Sequence, residues 1–385
     1  MSRPTPVATG PYAPPAPDRE LTVRSVDGAR LHVEVHGPEG APPVVLVHGW
    51  TCSTAFWAAQ IRALAADHRV IAYDLRGHGR SLARACLSDQ VGPEKQPVSA
   101  QSSGAWRVQL QGGEGSRREG GPPARACSSV EESGTDDNAA DVRARPRDAE
   151  LIGKAGPGPT CSTEALADDL EAVLAATLAP GERAVVVGHS MGGMTVLAAA
   201  ARPRFRAHTA AVLLCSTGSA RLVAESLVVP MRAGRLRTWL TARVLSSRAP
   251  LGPVTPVSRR ILKYATLGAA STPAMVEACA RVVHACPREV RHAWSRVLER
   301  LDLEEAVREL TVPTAVVVGT ADRLTPPVHA RALVAALPHC VGGTELPGLG
   351  HMTPVEAPEL VTGKIRELVT TYAAHTPNEP VKEGA

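Results

Sequence analysis

One serine of this chain stands where it could act as a nucleophile. The hexapeptide Gly-His-Ser-Met-Gly-Gly at 188–193 follows the apolar run Ala-Val-Val-Val at 184–187 and precedes small residues that favour a helix. This order predicts a strand, a sharp turn and a helix, with the hydroxyl of Ser190 pushed out at the end of the strand. Gly188 and Gly192 would remove the side chains that collide as the backbone reverses. We interpret the hexapeptide as a nucleophile elbow.

Two residues that could activate this serine follow it, in the order acid and then histidine. Asp322 comes just after a second buried-type strand at 314–318, and His351 lies in a loop after a short strand-like segment at 341–346. A serine hydroxyl is a poor nucleophile until a neutral imidazole takes its proton, and a carboxylate holds that imidazole in the required tautomer. Ser190, Asp322 and His351 are therefore the candidate catalytic residues.

Each of these residues also has a simpler interpretation. Ser190 could be an ordinary turn serine, and Asp322 could cap a helix that begins near residue 326, which is a frequent role for aspartate. The strand at 210–214 runs into Cys-Ser-Thr-Gly with no acid at its end, which favours Asp322 as the triad acid. Asp302 and Glu304 stay as alternative acids.

Two upstream motifs complete a family pattern. Pro-Val-Val-Leu-Val-His-Gly-Trp at 43–50 predicts a buried strand that ends in a turn, and Tyr-Asp-Leu-Arg-Gly-His-Gly-Arg-Ser at 73–81 predicts a structural turn after the next strand. With these four motifs, the chain resembles the serine hydrolases of the α/β-hydrolase fold, of the esterase-like or lipase-like kind that carries a cap. The resemblance implies that Ser190, Asp322 and His351 occupy the triad positions.

The resemblance also implies an oxyanion hole. Its donors would be the backbone N–H groups of Trp50 and Met191, which follow the His-Gly pair and the nucleophile. Such donors stabilise charge that develops only in the transition state, and losing one typically costs about 2.7–4 kcal/mol. His48, His78 and His189 lie inside backbone motifs and are interpreted as structural.

The expected fold is a mostly parallel α/β-hydrolase sheet with helices on both faces and a helical cap inserted after the strand that follows the elbow. A hairpin at 21–37, turned at Asp27 and Gly28, would begin the sheet. The predicted division is a disordered tail at 1–20, a core at 21–81 and 161–215, a low-complexity insertion at 82–160, a cap at 216–310, the second core part at 311–373 and a tail at 374–385.

The insertion is the main departure from the family. Residues 82–160 are rich in Gly, Ser, Pro, Arg and Glu and poor in aliphatic residues, so they cannot bury enough apolar area to offset their ordering entropy, and disorder is expected. Joining residue 81 to about 159 would restore ordinary family spacing. Three explanations stay open: a disordered excursion, an accessory element, or an error in the reading frame of the gene model.

The predicted cap has a different character. Apolar residues recur there at helical spacing, and these include Leu236, Trp239, Leu240 and Val244. A cap would exclude water and shape the acyl or leaving-group pocket. The alternative is that these helices only thicken the core.

Composition excludes several other classes of protein. The net charge of +4 is small for 385 residues, and no basic run alternates with aromatic residues, so a nucleic-acid partner is not expected. No apolar segment reaches the length of a membrane span, and the proline-rich start resembles neither an anchor nor a signal peptide. Eight scattered cysteines without C-x-x-C spacing predict a reduced, cytoplasmic chain with no metal site.

The predicted activity is hydrolysis of a small ester or related acyl compound through a Ser-His-Asp triad and an acyl-enzyme, with no cofactor. Family members with an aspartate nucleophile are disfavoured, because Ser190 occupies the elbow. Two alternatives stay open: an acyltransferase or perhydrolase that uses the same triad, and a ligand-binding protein with an idle triad. The acyl preference and the oligomeric state are not predicted.

Overall fold

The structure is a computed structural model that describes residues 10, 12–81 and 161–373. Its eight strands are β1 (Arg19–Arg24), β2 (Arg30–His36), β3 (Pro43–Val47), β4 (Arg69–Tyr73), β5 (Ala184–His189), β6 (Thr209–Cys215), β7 (Thr314–Gly319) and β8 (Cys340–Leu346). The helices outside the cap are α1 (Ala58–Leu64), α2 (Thr163–Thr177), α3 (Met191–Ala199), α4 (Pro203–His208), α11 (Pro327–Ala336), α12 (Thr353–Glu356) and α13 (Pro358–Leu368).

The strands form one sheet in the order β1-β2-β4-β3-β5-β6-β7-β8. The first two pairings are antiparallel and the remaining five are parallel. Buried parallel strands are covered on both faces, which explains their continuous runs of valine and alanine. The predicted mostly parallel α/β architecture is confirmed.

Short sequence signals set the ends of these elements. Gly28 turns the β1–β2 hairpin with a φ of +84°, a conformation that glycine adopts without steric cost. Ser162 caps α2 by accepting a hydrogen bond from the backbone N–H of Ala165 at 3.1 Å. The hairpin lies where the sequence predicts it.

The two faces of the sheet carry separate apolar cores, because successive strand residues point to opposite sides. Val45 and Val186 belong to the core formed with α2 and α3. Their strand neighbours Val44 and Val185 belong to the core formed with α1 and α13. The elbow, between β5 and α3, is therefore supported from both sides of the sheet.

A buried ion pair fixes the turn after β4. Arg76 donates hydrogen bonds to both carboxylate oxygens of Asp169 on α2, at 2.7 and 2.6 Å, and a further one to Asp27 in the hairpin at 2.7 Å. The side chains of Arg76 and Asp169 are both fully buried. Bidentate pairs of this kind fix geometry as well as charge, so Arg76 holds the hairpin, the turn and α2 together. This supports the structural interpretation of the 73–81 motif.

Six helices lie in the fully described stretch between β6 and β7, and we call them the cap helices. They are α5 (Leu222–Glu225), α6 (Arg235–Leu245), α7 (Pro256–Thr266), α8 (Pro273–Ala285), α9 (Arg288–Arg300) and α10 (Glu304–Glu309). α9 packs on the core through Trp294, which is fully buried and donates from Nε1 to the carbonyl of Arg76 at 3.2 Å. α6 differs, since its Leu236, Trp239 and Val244 are exposed. These three residues do not thicken the core.

Some predicted segments fall wholly or partly outside the described residues. The insertion at 82–160 and the tail at 374–385 lie outside them. The predicted N-terminal tail at 1–20 lies partly inside, and there β1 begins at Arg19, while the carbonyl of Ala13 accepts a hydrogen bond from Arg62 at 2.6 Å. In the part of the chain that the structure describes, no helix has the length and apolar character needed to cross a bilayer.

Candidate active site

Ser190 stands between β5 and α3 in a strained conformation. Its φ is +51° and its ψ is −118°, outside the regions that residues with a β-carbon ordinarily occupy. Its N–H donates to the carbonyl of Cys215 at 3.0 Å, which ties the turn to the end of β6. Strain of this kind persists only where the surroundings determine the backbone, and it concentrates at functional sites.

The two elbow glycines are required by close packing. A β-carbon on Gly188 would lie 2.6 Å from the α-carbon of Gly193, and one on Gly192 would overlap the carbonyl oxygen of Val47. Both contacts would be much closer than van der Waals distance. Glycine at these positions therefore lets α3 approach β3 and β5 closely enough to form the sharp turn at Ser190.

Asp322 and His351 form a buried hydrogen-bonded pair. The Nδ1 atom of His351 lies 2.8 Å from Oδ2 of Asp322, and the two residues are 3% and 1% exposed. Asp322 also accepts hydrogen bonds at 2.9 Å from the N–H groups of Leu324 and Thr325 and from the hydroxyl of Thr325. The carboxylate is thus held by its own loop and directed at the imidazole.

The loop that carries His351 is fixed at its backbone. The His351 N–H donates to the carbonyl of Thr266 at 2.8 Å, and its carbonyl lies 2.9 Å from Nε2 of His189. Burial, with a further contribution from the nearby His351, holds the pKa of His189 well below its usual value. A neutral His189 can donate from Nε2 to this carbonyl, so it positions His351.

The N–H groups of Trp50 and Met191 are available for a ligand. Met191 is the first residue of α3, where helical N–H groups have no partner within the helix. No described residue accepts a hydrogen bond from either N–H. The Trp50 indole donates to the carbonyl of Arg291 at 3.2 Å, which joins the loop after β3 to α9.

Two buried histidines fix the loop after β3. His48 accepts from the N–H of Leu75 at 3.0 Å and contacts the carbonyl of Gly49 at 2.8 Å, whereas His78 accepts from the N–H of Thr51 at 3.2 Å. Burial lowers the pKa of His48 to about 3, with His78 adding to the effect, and burial lowers the pKa of His78 to about 4. Both rings are therefore neutral acceptors with a structural role.

These two histidines predict a loss of stability in acid. Their pKa values rise toward the usual 6.5 on unfolding, so the unfolded chain binds more protons and stability falls as the pH drops below about 6.5. Between pH 7 and pH 4.5, each histidine should lower the free energy of unfolding by about 2.5 kcal/mol. Urea denaturation followed by circular dichroism at pH 7 and 4.5 measures this loss.

His78→Gln is the matched control for acid unfolding, because glutamine can still accept from the Thr51 N–H but does not titrate. Its stability should fall by about 2.5 kcal/mol less than that of the wild type between the two pH values. An equal fall in both proteins would contradict the assignment of His78 as a neutral acceptor.

A cavity of about 650 Å³ lies between the sheet edge and the cap helices. Ser190, His351 and Trp50 line it together, so the structure brings three of the predicted residues to one space. The other walls are mainly aliphatic and come largely from the cap. They include Leu222, Val223, Leu240, Leu245, Ile261, Leu262, Val283 and Leu298.

Thr325 and Glu356 lie near the site but have no role in the sequence prediction, which interprets His189 only as structural. The hydroxyl of Thr325 lies 2.9 Å from Asp322 and 3.2 Å from Nδ1 of His351, and His189 holds the His351 carbonyl. Glu356 accepts from the N–H of Gly350 at 3.0 Å. Thr325, three residues after the acid, and Glu356, six residues after Gly350, make local contacts, whereas the contact of His189 with His351 joins distant segments.

The three candidate acidic residues lie in different surroundings. Asp322 does not cap α11, since the residue before that helix is Pro326 and no side chain caps it. Asp302 is exposed and accepts from the N–H of Glu304 at 3.1 Å. Neither Asp302 nor Glu304 lines the cavity.

One group of side chains in the described part of the chain could hold a metal ion, and it lies on the hairpin strands. Glu20, His32 and Glu34 bring their ligand atoms within 4.8 Å of one another. The guanidinium of Arg80 already donates to Glu20 at 2.7 Å and to Glu34 at 2.9 Å. Arg80 supplies the positive charge there, so we assign no metal to this group.

Comparison with known proteins identifies the family. The profile of the alpha/beta hydrolase fold matches residues 42–358. The chain is 36% identical over 61 residues to 3-oxoadipate enol-lactonase 1 of Acinetobacter baylyi, and 44% identical over 61 residues to a non-heme chloroperoxidase of Streptomyces lividans. Each match covers 16% of this chain, and the matched parts span 23% and 22% of those relatives.

Solved structures agree at the level of the fold. A thermophilic esterase from Thermogutta terrifontis is 21% identical, with a TM-score of 0.57 over 92% of this chain and 99% of that one. The enol-lactonase from Burkholderia xenovorans is 20% identical, with a TM-score of 0.56 over 91% of this chain and all of that one. The family profile covers most of the chain, and the sheet order and elbow agree with it. The protein therefore belongs to the α/β-hydrolase fold family.

Proposed function

We propose that the protein is a serine esterase that acts through an acyl-enzyme on Ser190. The observation that carries the proposal is the strained Ser190 in one cavity with His351, whose Nδ1 lies 2.8 Å from the buried carboxylate of Asp322. The names of similar proteins, an esterase and an enol-lactonase, agree with cleavage of an ester bond. The cap boundaries at 216–310 are part of this proposal.

In the first half of the reaction, Ser190 attacks the ester carbonyl. Oγ forms a bond to the carbonyl carbon while Nε2 of His351 takes the hydroxyl proton. Asp322 keeps the other imidazole proton on Nδ1 and stabilises the imidazolium. The N–H groups of Trp50 and Met191 donate to the oxygen that becomes negative. Collapse of this intermediate breaks the bond to the alcohol oxygen, which receives the proton from His351.

The second half releases the acid. A water molecule loses a proton to His351 and attacks the acyl carbon, and the proton then passes to Oγ of Ser190 as the acyl bond breaks. The chain supplies the nucleophile of the first half, and the same base and oxyanion donors serve both halves.

The cavity predicts which acyl groups react fastest. Its walls are mainly aliphatic, so each added methylene that becomes buried contributes about 0.8 kcal/mol of binding, or roughly fourfold. We expect kcat/KM for p-nitrophenyl hexanoate to exceed that for the acetate by at least about tenfold. Initial rates over a series from acetyl to decanoyl measure this, with the Ser190→Ala protein as the blank. A flat series, or the highest rate with acetate, would contradict an apolar acyl pocket.

The same measurements separate the proposal from its alternatives. If acyl groups pass to an added alcohol or to hydrogen peroxide in preference to water, the protein is an acyltransferase or a perhydrolase. If the folded protein binds these esters without turnover, it is a ligand-binding member of the fold. Product analysis with and without the added acceptor distinguishes these outcomes.

A further inference from the structure

The first part of the cap has an unusual charge. Residues 226–276, which we call the basic cap segment, contain seven arginines and one lysine and no aspartate or glutamate. The rest of the chain carries slightly more acidic than basic residues. The positive net charge of the protein therefore comes from this one segment, which includes α6 and α7.

Most of these positive charges face solvent. Arg232, Arg235, Arg243, Arg248 and Arg260 are exposed and make no ion pair with any residue that the structure describes. The other three basic side chains are used within the protein. These are Arg237, which donates to the carbonyl of Ala224, Lys263, which donates to the carbonyl of Ser271, and Arg259, which pairs with Glu277.

The same segment also exposes apolar side chains. Among the described residues, fourteen large hydrophobic side chains are exposed, and nine of them lie between 227 and 264. The nine are Leu227, Met231, Leu236, Trp239, Val244, Leu251, Val257, Ile261 and Tyr264. A group of this size on one part of a surface is typical of an interaction site, whereas single exposed apolar residues are ordinary.

Helical spacing puts the apolar side chains and the arginines side by side. On α7, Val257, Ile261 and Tyr264 share a face, and the first two are 68% and 63% exposed. On α6, the guanidinium carbon of Arg243 lies 5.8 Å from the centre of the Trp239 ring, one turn away. Each helix therefore presents an apolar stripe bordered by positive charge.

Part of this surface also forms the wall of the cavity. Trp239, Val244, Leu251 and Ile261 are among the exposed apolar residues and also line the space that holds Ser190. The apolar surface is thus continuous from solvent to the candidate active site. A molecule that covers the surface would lie directly over the cavity.

We propose that the basic cap segment docks on a lipid bilayer with anionic headgroups. Helices with apolar residues on one face and arginines beside them lie in the bilayer interface, where the apolar side chains enter the acyl region and the arginines pair with phosphates. Aliphatic side chains such as Val257 and Ile261 cannot stack on bases, which favours a lipid over a nucleic acid. A neutral ester dissolved in the bilayer then enters the cavity directly, a consequence that rests on the proposed esterase function.

Sedimentation with vesicles tests the docking step on the full chain. We expect binding to vesicles of equal parts phosphatidylcholine and phosphatidylglycerol, weaker binding to phosphatidylcholine alone, and a decrease as salt is added. Reversing three exposed charges, in Arg235→Glu/Arg248→Glu/Arg260→Glu, should reduce the partition coefficient at least about 100-fold, since each arginine near an anionic surface contributes about fivefold. None of these three arginines lines the cavity.

Two further variants separate charge, apolar contact and folding. Leu236→Ser/Val257→Ser keeps the charge and should also weaken binding, because it removes apolar area. Arg24→Glu/Arg30→Glu/Arg308→Glu makes the same charge change at exposed positions outside the basic cap segment and should bind like the wild type. Circular dichroism confirms that each variant is folded.

Several results would overturn the proposal. These are failure of the wild type to bind anionic vesicles, equal binding by the cap and control variants, or binding to an oligonucleotide but not to vesicles. Self-association that Leu236→Ser/Val257→Ser abolishes, without vesicle binding, would assign the surface to a second copy of the chain. The Ser190→Ala protein should bind vesicles like the wild type, because docking does not require turnover. The vesicle result therefore does not depend on whether the esterase proposal is correct.

Discussion

Ser190→Ala should lower ester turnover by about a millionfold while the protein stays folded. Removal of a serine nucleophile costs about this much in a triad enzyme, because the histidine and the acid act only through it. Alanine keeps the β-carbon, so the packing of the elbow is unchanged. Initial rates with p-nitrophenyl hexanoate, at high enzyme concentration, measure the residual activity.

The matched control for this variant is Ser295→Ala. Ser295 also lines the cavity, but its hydroxyl donates to the carbonyl of His292 at 2.7 Å. This variant should keep activity within about tenfold of the wild type, since it removes one local hydrogen bond. Mass spectrometry after rapid quenching should detect an acyl adduct on the wild type and none on Ser190→Ala. A folded Ser190→Ala protein with near wild-type rates would exclude the proposed nucleophile.

Asp322→Asn should lower the rate by about ten-thousandfold. The asparagine amide can donate to Nδ1 of His351, which leaves the proton on Nε2 and removes the base that Ser190 needs. The hydrogen bonds from the loop N–H groups to Oδ1 can be kept, so the geometry should change little. Activity measured from pH 6 to 9 tests whether the defect persists across the titration range of histidine.

Asp302→Asn is the comparison for the acid, because Asp302 is the other aspartate that the sequence offers near the end of the cap. It lies at the surface and outside the cavity, so its substitution should leave kcat/KM within about twofold. If Asp302→Asn lost the activity and Asp322→Asn kept it, the acid would have to be reassigned.

The sequence predicts the elements of this fold well because their signals are local. The apolar runs of β5 and β7, the glycine turn of the hairpin and the serine cap of α2 each lie within a few residues of the feature that they specify. Ser190, Asp322 and His351 each follow a predicted strand, and parallel strands bring their carboxyl ends to one edge of the sheet. The sequence therefore also indicates that these three residues lie near one another.

Contacts between distant segments could not be predicted in this way. His189 reaches a carbonyl 162 positions away, and nothing at either position indicates the pairing. Periodicity also identifies α6 as a helix with an apolar face but does not say what covers that face. Trp239, at 57% exposure, is an example, because the same spacing would suit a buried core helix.

The carboxylate of Glu356 gives the histidine loop a second anchor. Its Oε2 atom accepts from the N–H of Gly268 at 2.6 Å and from the hydroxyl of Ser271 at 2.7 Å, while Oε1 accepts from the N–H of Gly350, next to His351. Gly268 lies two residues after the end of α7, so this part of the cap and the proposed general base, His351, share one support. A change of shape at the end of α7 would move His351 as well as the pocket wall. Under the proposed mechanism, new acyl preferences can evolve through α6 with little loss of rate, whereas substitutions at the end of α7 would also disturb catalysis.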